Sequence, residues 1–421
     1  MTTNQKFSIF HLTEKQAIEL LDTDPQNLES PSDRYIAATQ LVNYPTSATI
    51  DALIRAVQTE APTLDTRIVR RKAVETLGYI KADIALPIIQ ECLQDDDCYT
   101  VENAAWAIGE IGTQSPEILS DITNCLKRPN QNYRLIIHTL AKLNCREAIK
   151  EISRFIQSSD LSIQSAAISA TCQLTEETSA MAKVIPFLQD NNVTVRRSCV
   201  QDFIDTHYHP AIPAIATSPI SMVFRLRGIQ QIAQSTPSLP FETIQSPLEA
   251  VIRDHPNTVE MVHEYDQPPT LEFLLNELYE TDFGRCYLAS QTLLTQYPSQ
   301  APEALVTNFQ ERGKGDYGAH YHIIKLLGWL KHSAAYDLII EALHNPLPQF
   351  QKSRTAAAIA LGELTLPKAI PDLQSALSTE IWALQYASLL ALSKLEGLSA
   401  AQSKEINLRH PLVKAKLDTY I

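Results

Sequence analysis

The sequence predicts an all-α fold, a right-handed α/α solenoid of helix pairs curved around a concave pocket. Three observations carry this reading. Apolar segments with helical spacing recur at a nearly constant interval along the chain. Glycine is scarce, at 11 of 421 residues, too few for a glycine-rich nucleotide fold or a turn-dense β-sandwich. The composition is 44% hydrophobic, 20% charged and only 7% aromatic, too apolar for a disordered chain.

The repeat sets the elements. Segments starting at Arg70, Glu102, Arg134 and Gln164 align, and their small residues Gly78, Gly109, Ala141 and Cys172 fall in steps of 31, 32 and 31. The frame continues through Val195–Cys199, Arg225–Ile229, Ile323–Gly328, Arg354–Leu364 and Leu384–Leu392. Each segment carries apolar residues near i, i+3, i+4 and i+7, the period of an amphipathic helix. Several follow a shorter amphipathic stretch, such as Ala82 to Leu93 or Ala369 to Leu377. The polar links Asp95-Asp96-Asp97 and Asp190-Asn191-Asn192 supply side chains that cap the next helix. A helix pair of about 31 residues cannot bury its apolar face alone, so pairs stack on their neighbours. This is the pattern of short HEAT-like repeats, with interior Ala and Gly letting successive helices approach closely.

The organisation expected is a cap over residues 1–29, a repeat array over 30–234, a Pro-rich irregular insertion or distorted repeats over 235–283, a second array over 284–395, and a C-terminal cap over 396–421. The middle segment carries Pro237, Pro240, Pro247, Pro256, Pro268 and Pro269, and proline inside a helix is costly.

The net charge of −13, from 35 Lys+Arg against 48 Asp+Glu, argues against a dedicated nucleic-acid binder. Local basic pockets stay open. The seven cysteines are dispersed and contain no CxxC pair, which reads as buried thiols in a reducing compartment, with neither a disulfide frame nor a metal site. The N-terminus lacks a signal-peptide apolar region, and no apolar run approaches the roughly 18 residues of a membrane span. The expectation is a cytoplasmic protein without membrane or nucleic-acid partners.

The segments Val101–Gly112 (VENAAWAIGEIG) and Arg70–Gly78 (RRKAVETLG) resemble the HEAT-like repeats of phycobilin lyases of the E/F class. Those are cyanobacterial proteins that load open-chain tetrapyrroles onto phycobiliproteins. The long single chain and Lys314–Leu327 (KGDYGAHYHIIKLL) are similar to the phycoerythrin-specific branch of lyases and lyase-isomerases. The resemblance spans roughly residues 30 to 395. It implies phycoerythrobilin as substrate and its attachment by a thioether bond to a cysteine of a phycoerythrin subunit, with an α subunit favoured. It also implies isomerisation to phycourobilin in some members, and no cofactor.

That task calls for three kinds of group: a carboxylate for the pyrrole N–H groups, a cation for the propionates, and aromatics for the apolar tetrapyrrole. Thioether formation adds a thiolate to the A-ring ethylidene and delivers a proton to the tetrapyrrole, so a general acid is wanted. Given the resemblance, Asp316 is expected to hold the pyrrole nitrogens and Tyr317 to donate or relay a proton. The structural alternative makes Asp316 a helix N-cap and Tyr317 a packing residue. His138 matches Glu75, Trp106 and Ser169 in the repeat frame, and as a group titrating near neutrality it is a candidate acid or base. Trp106, Glu102 and Asn103 on one helix are candidate bilin contacts, with core packing the alternative for Trp106. His320 and His322 flank Tyr321, and His207 and His209 flank Tyr208; both pairs read as surface or loop histidines, with His320 one turn from Tyr317 kept as a pocket candidate.

The basic candidates are Arg70, Arg71, Arg134, Arg196, Arg197, Arg225, Arg227 and Arg285, with Lys325 weaker; Arg134, Arg197 and Arg227 are placed at the propionates. Their structural alternative is an Asp–Arg ladder between repeats. A covalent bilin–enzyme intermediate is a rival idea, with Cys286 as its thiol, although apolar neighbours raise thiol pKa values. The chain carries no nucleotide loop, nucleophile elbow or zinc set. A non-catalytic HEAT-repeat adaptor or chaperone for phycobiliproteins is therefore the alternative function.

Overall fold

A computed structural model of the chain describes residues 12–30, 32–59, 62–398 and 408–420. Residues 1–11 of the expected N-terminal cap, and 399–407 and 421 of the C-terminal cap, lie outside the described residues. Among the described residues all regular structure is helical, α or 3-10. The chain divides into two compact units, Met1–Ala180 and Met181–Ile421. The Pro-rich segment falls wholly within the second.

In the first unit the repeat frame appears as successive long helices: Leu64–Tyr79, Cys98–Ile111, Tyr133–Lys142 and Leu161–Thr175. Short α and 3-10 turns connect them and return the chain. Leu77, Ile108, Leu140 and Ala170 from the four helices are each almost wholly buried. Full burial of a leucine or isoleucine side chain is worth about 1.5–3 kcal/mol, so it is stacking that holds these helices rather than propensity. Gly78 is where two helices meet: a Cβ there would lie 2.8 Å from Cα of Ala107. Of the polar links, Asn192 caps its helix, accepting from the backbone N–H of Thr194 at 2.9 Å, whereas Asp97 makes no side-chain cap bond and, with Asp95, pairs with arginines as in the Asp–Arg ladder. Arg70 pairs with Asp95 at 2.6 Å, and Arg71 donates to both oxygens of Asp97 at 2.6 and 2.7 Å.

The second unit continues with Val193–Asp205, Met222–Ser235, Phe283–Gln296, Tyr317–Trp329, Gln351–Leu364 and Trp382–Lys394. Within 235–283 the chain forms a helix, Phe241–Arg253, with Pro247 in its interior. Losing a helix hydrogen bond to proline costs about 3 kcal/mol. Ile244, Leu248, Val251 and Ile252 are all at most 2% exposed, and their burial outweighs it. After the 3-10 turn Pro256–Thr258, residues 259–270 form no regular element before the short helix Leu271–Glu277.

Candidate functional site

The second unit is organised around one carboxylate. Asp254 ends the helix Phe241–Arg253 in the left-handed conformation, φ 51° and ψ 41°, which Asp tolerates better than most residues. That backbone turn aims its side chain inward, where it is 1% exposed. Its carboxylate accepts from the Arg225 guanidinium, from the Tyr321 hydroxyl, from Nζ of Lys325 at 2.8 Å and from the Tyr287 hydroxyl at 2.9 Å. Arg225 also donates to the carbonyls of Ala216 at 2.9 Å and Ile220 at 3.1 Å. Four helices are thus tied through a single acid.

The electrostatics follow from burial. Burial pushes the Asp254 carboxyl up, but Lys325 and Arg225 outweigh it and hold the group below the usual carboxylate range. Burial pulls the Lys325 ammonium down against the attraction of Asp254. Tyr287 and Tyr321 are held well above the ordinary phenol value, chiefly by desolvation, so both stay neutral donors. Two cations face one anion, and the cluster carries a net positive charge.

A second layer lies against Tyr321. Nζ of Lys352, in the first turn of Gln351–Leu364, sits 4.5 Å from the ring centre of Phe283, 5.0 Å from Tyr317 and 5.2 Å from Tyr321. Burial pushes its pKa down to about 8. Tyr317 is 58% exposed, so the layer opens to solvent there. Asp316 is the N-cap of Tyr317–Trp329: Oδ1 accepts from the backbone N–H of Gly318 at 2.9 Å and of Ala319 at 2.8 Å. Among the described residues no hydrogen bond reaches Oδ2. The capping and ligand-binding readings of Asp316 therefore use different oxygens.

The remaining candidates are placed as follows. In the second unit His320 lies between Phe309 and Phe350, with ring centres 4.9 and 4.6 Å away. Burial lowers its pKa to about 4. Arg197 donates to the Thr281 carbonyl at 3.1 Å and covers the Phe224 ring at 5.2 Å. Arg227 is exposed and donates to Gln201 at 2.9 Å. In the first unit the Trp106 ring meets Tyr79 edge-on at 4.7 Å, over the bare Gly78. Glu102 and Asn103 are half-buried on the same helix, and Nδ2 of Asn103 reaches the Arg71 carbonyl at 3.5 Å. Arg134 donates to the Ser162 carbonyl at 2.7 Å, and His138 is half-buried one turn further on.

One expectation is corrected. His207 and His209 are exposed, but His320 and His322 are 2% and 0% exposed. Every residue from Ala319 to Gly328 is buried, so positions i and i+2 of that helix both point into packed surroundings. His322 makes no hydrogen bond through either ring nitrogen, lies among Phe283, Tyr287 and Tyr321, and is held far below the ordinary histidine value by burial. Cys286 is fully buried and its thiol is pushed up to about 12 by desolvation, which argues against the covalent-intermediate idea.

Arg225 and Lys325 were legible as cations, but Asp254, Tyr287, Tyr321, Phe283 and Lys352 were not singled out. Asp254 lies where the repeat frame breaks down. Lys352 sits in Gln-Lys-Ser-Arg, before an alanine run that looked like repeat core. The signal that finds both is a charged residue adjoining a strongly apolar helix.

Stacked helix pairs of this kind define a HEAT-like repeat protein, here with a buried cationic cluster beside aromatic rings. The profile for HEAT repeats matches residues 63–134, and that for the PBS lyase HEAT-like repeat matches 353–379. The chain is 52% identical to the phycocyanin operon protein Y of Pseudanabaena tenuis (strain PCC 7409), over 92% of this chain and 93% of that one. It is 32% identical to the bilin biosynthesis protein CpeY of Synechococcus sp. (strain WH8020), over 89% and 92%. It is 29% identical to the phycocyanobilin lyase subunit alpha of Nostoc sp. (strain PCC 7120), over 49% of this chain and 82% of that one. The chain belongs to the E/F-type phycobilin lyase family of HEAT-like repeat proteins. No described helix is long and apolar enough to cross a membrane.

Proposed function

We propose that the protein binds phycoerythrobilin and attaches it, through a thioether bond, to a cysteine of a phycoerythrin α subunit, without a metal or nucleotide cofactor. The observation that carries the reading is the pairing of Asp316 and Tyr317 at the solvent edge of the aromatic, cationic layer. Asp316 Oδ2 is open to pyrrole N–H donors while Oδ1 keeps the cap. Tyr317 is exposed enough to meet a ligand, and its ring centre lies 5.0 Å from the Lys352 ammonium. In the reaction the acceptor thiolate forms the C–S bond at the A-ring ethylidene carbon. The electron pair of the ethylidene double bond takes up a proton, which Tyr317 delivers. Isomerisation to phycourobilin extends the same proton chemistry, removing a proton at one carbon and returning it at another.

Co-expression with phycoerythrobilin-forming enzymes and a phycoerythrin α subunit tests this. The expected result is colour on the subunit that survives acidic urea. A colourless subunit, with bilin present and this protein folded, favours the adaptor or chaperone reading. Absorption at the phycourobilin position reports isomerisation.

A further inference from the structure

We propose that Lys352 is the group that receives a propionate carboxylate of the bilin, with the exposed ring of Tyr317 as the surface on which the tetrapyrrole rests. The inference deepens the bilin-binding reading and rests on it.

Lys352 is a cation without an anion. Among the described residues no carboxylate lies within ion-pair distance of its Nζ, and its near neighbours are three ring faces. Such faces attract a desolvated ammonium, but they leave its charge uncompensated. The charged groups acting on it from the surrounding helices offer little relief. Asp254 is already shared by Arg225, Tyr287, Tyr321 and Lys325. Lys325 repels it, and Cys286 is neutral with its thiol held high. Asp316 acts from a distance while its Oδ1 holds the helix cap. Arg225, Lys325 and Lys352 set against Asp254 and Asp316 leave one positive charge over. A ligand carboxylate completes the balance.

The surroundings select what carries that carboxylate. A small hydrated anion such as phosphate would have to lose its water to three apolar rings and gain nothing from them. An acid borne on a flat conjugated body gains on both counts, ion pairing at the ammonium and stacking on the exposed Tyr317 ring. Exposed Tyr317 marks the open side from which such a body enters. Lys314, by contrast, is 64% exposed and already paired with Glu341 at 2.6 Å, so it serves as a control.

The test measures non-covalent binding of phycoerythrobilin and of its dimethyl ester to the full-length protein and to Lys352→Met, Lys352→Arg and Lys314→Met, following bilin absorbance. Circular dichroism and thermal midpoints establish that each variant is folded. The wild type is expected to bind the diacid at least tenfold more tightly than the diester. Lys352→Met should lose that preference by weakening diacid binding alone, Lys352→Arg should keep most of it, and Lys314→Met should match the wild type. Equal weakening of acid and ester in folded Lys352→Met, or no change in either, overturns the proposal. A wild type that binds neither form overturns the bilin-binding reading, and this inference with it.

Discussion

Asp254 and Lys325 are 71 residues apart in sequence and form an ion pair at 2.8 Å, each side chain 1% exposed. The acid comes from a left-handed turn and the lysine from the buried helix Tyr317–Trp329. Because Arg225 binds the same acid, the two partners are not equivalent. Asp254 is the cluster's anion, and Lys325 is one of its two cations.

That asymmetry predicts an order of damage. Asp254→Asn leaves two buried cations unpaired and should cost on the order of 3–5 kcal/mol or more. Lys325→Met leaves a neutral Arg225–Asp254 pair and should cost distinctly less. Urea unfolding midpoints with unchanged slopes check the order. Equal losses would mean that the cluster does not act as one charge balance.

His320 predicts part of the acid sensitivity. Its folded pKa of about 4 lies below the unfolded value of 6.5, so between these two pH values the unfolded chain binds the extra proton. The stability is present above pH 6.5 and is lost as pH falls through about 4, by roughly 3 kcal/mol at most. In His320→Leu, a change of similar volume, the stability curve should flatten over that window. An unaltered curve would place the acid sensitivity elsewhere.

The helix cap of Asp316 and its proposed bilin contact are separable. Asparagine caps helices about as well as aspartate, so Asp316→Asn should leave the thermal midpoint unchanged and abolish bilin loading. Asp316→Ala should lose loading and about 1 kcal/mol of stability as well. Full loading by Asp316→Asn would reduce the residue to a cap.

Close repeat stacking can be probed at Gly328. An added Cβ would lie 2.5 Å from Cα and Cβ of Ala360, backbone against backbone, so neither helix can yield cheaply. Gly328→Ala should destabilise by about 1–3 kcal/mol. Gly315→Ala, where nothing lies within 4 Å, should be nearly neutral. Comparing the two thermal midpoints checks the claim.

The legibility of the chain follows the period. Where helices repeat every 31 or 32 residues, Gly78, Gly109 and the Arg70–Asp95 and Arg71–Asp97 pairs could be anticipated, because each repeat imposes the same contact on the next. The prolines of 235–283 predict an irregular insertion or distorted repeats, and within that segment Pro247 sits inside a helix because four buried side chains outweigh the lost bond. Asp254 was invisible for a related reason: its role depends on partners 29 to 71 residues away, and no local pattern encodes them. Asp316-Tyr317 stands out in the sequence only through resemblance, because the cap that fixes its geometry forms once the helix Tyr317–Trp329 is in place. Arg197 and Arg227, chosen as cations near repeat starts, are bonded to Thr281 and Gln201, and the ammonium beside Tyr317 belongs to Lys352.

The most direct measurement is mass spectrometry of the acceptor subunit after co-expression with this protein and phycoerythrobilin. The account predicts a single cysteine-containing peptide heavier by one bilin, present with the wild type and absent with Asp316→Asn. An unmodified peptide alongside folded wild-type protein and free bilin, or the same adduct yield with both forms, would contradict it.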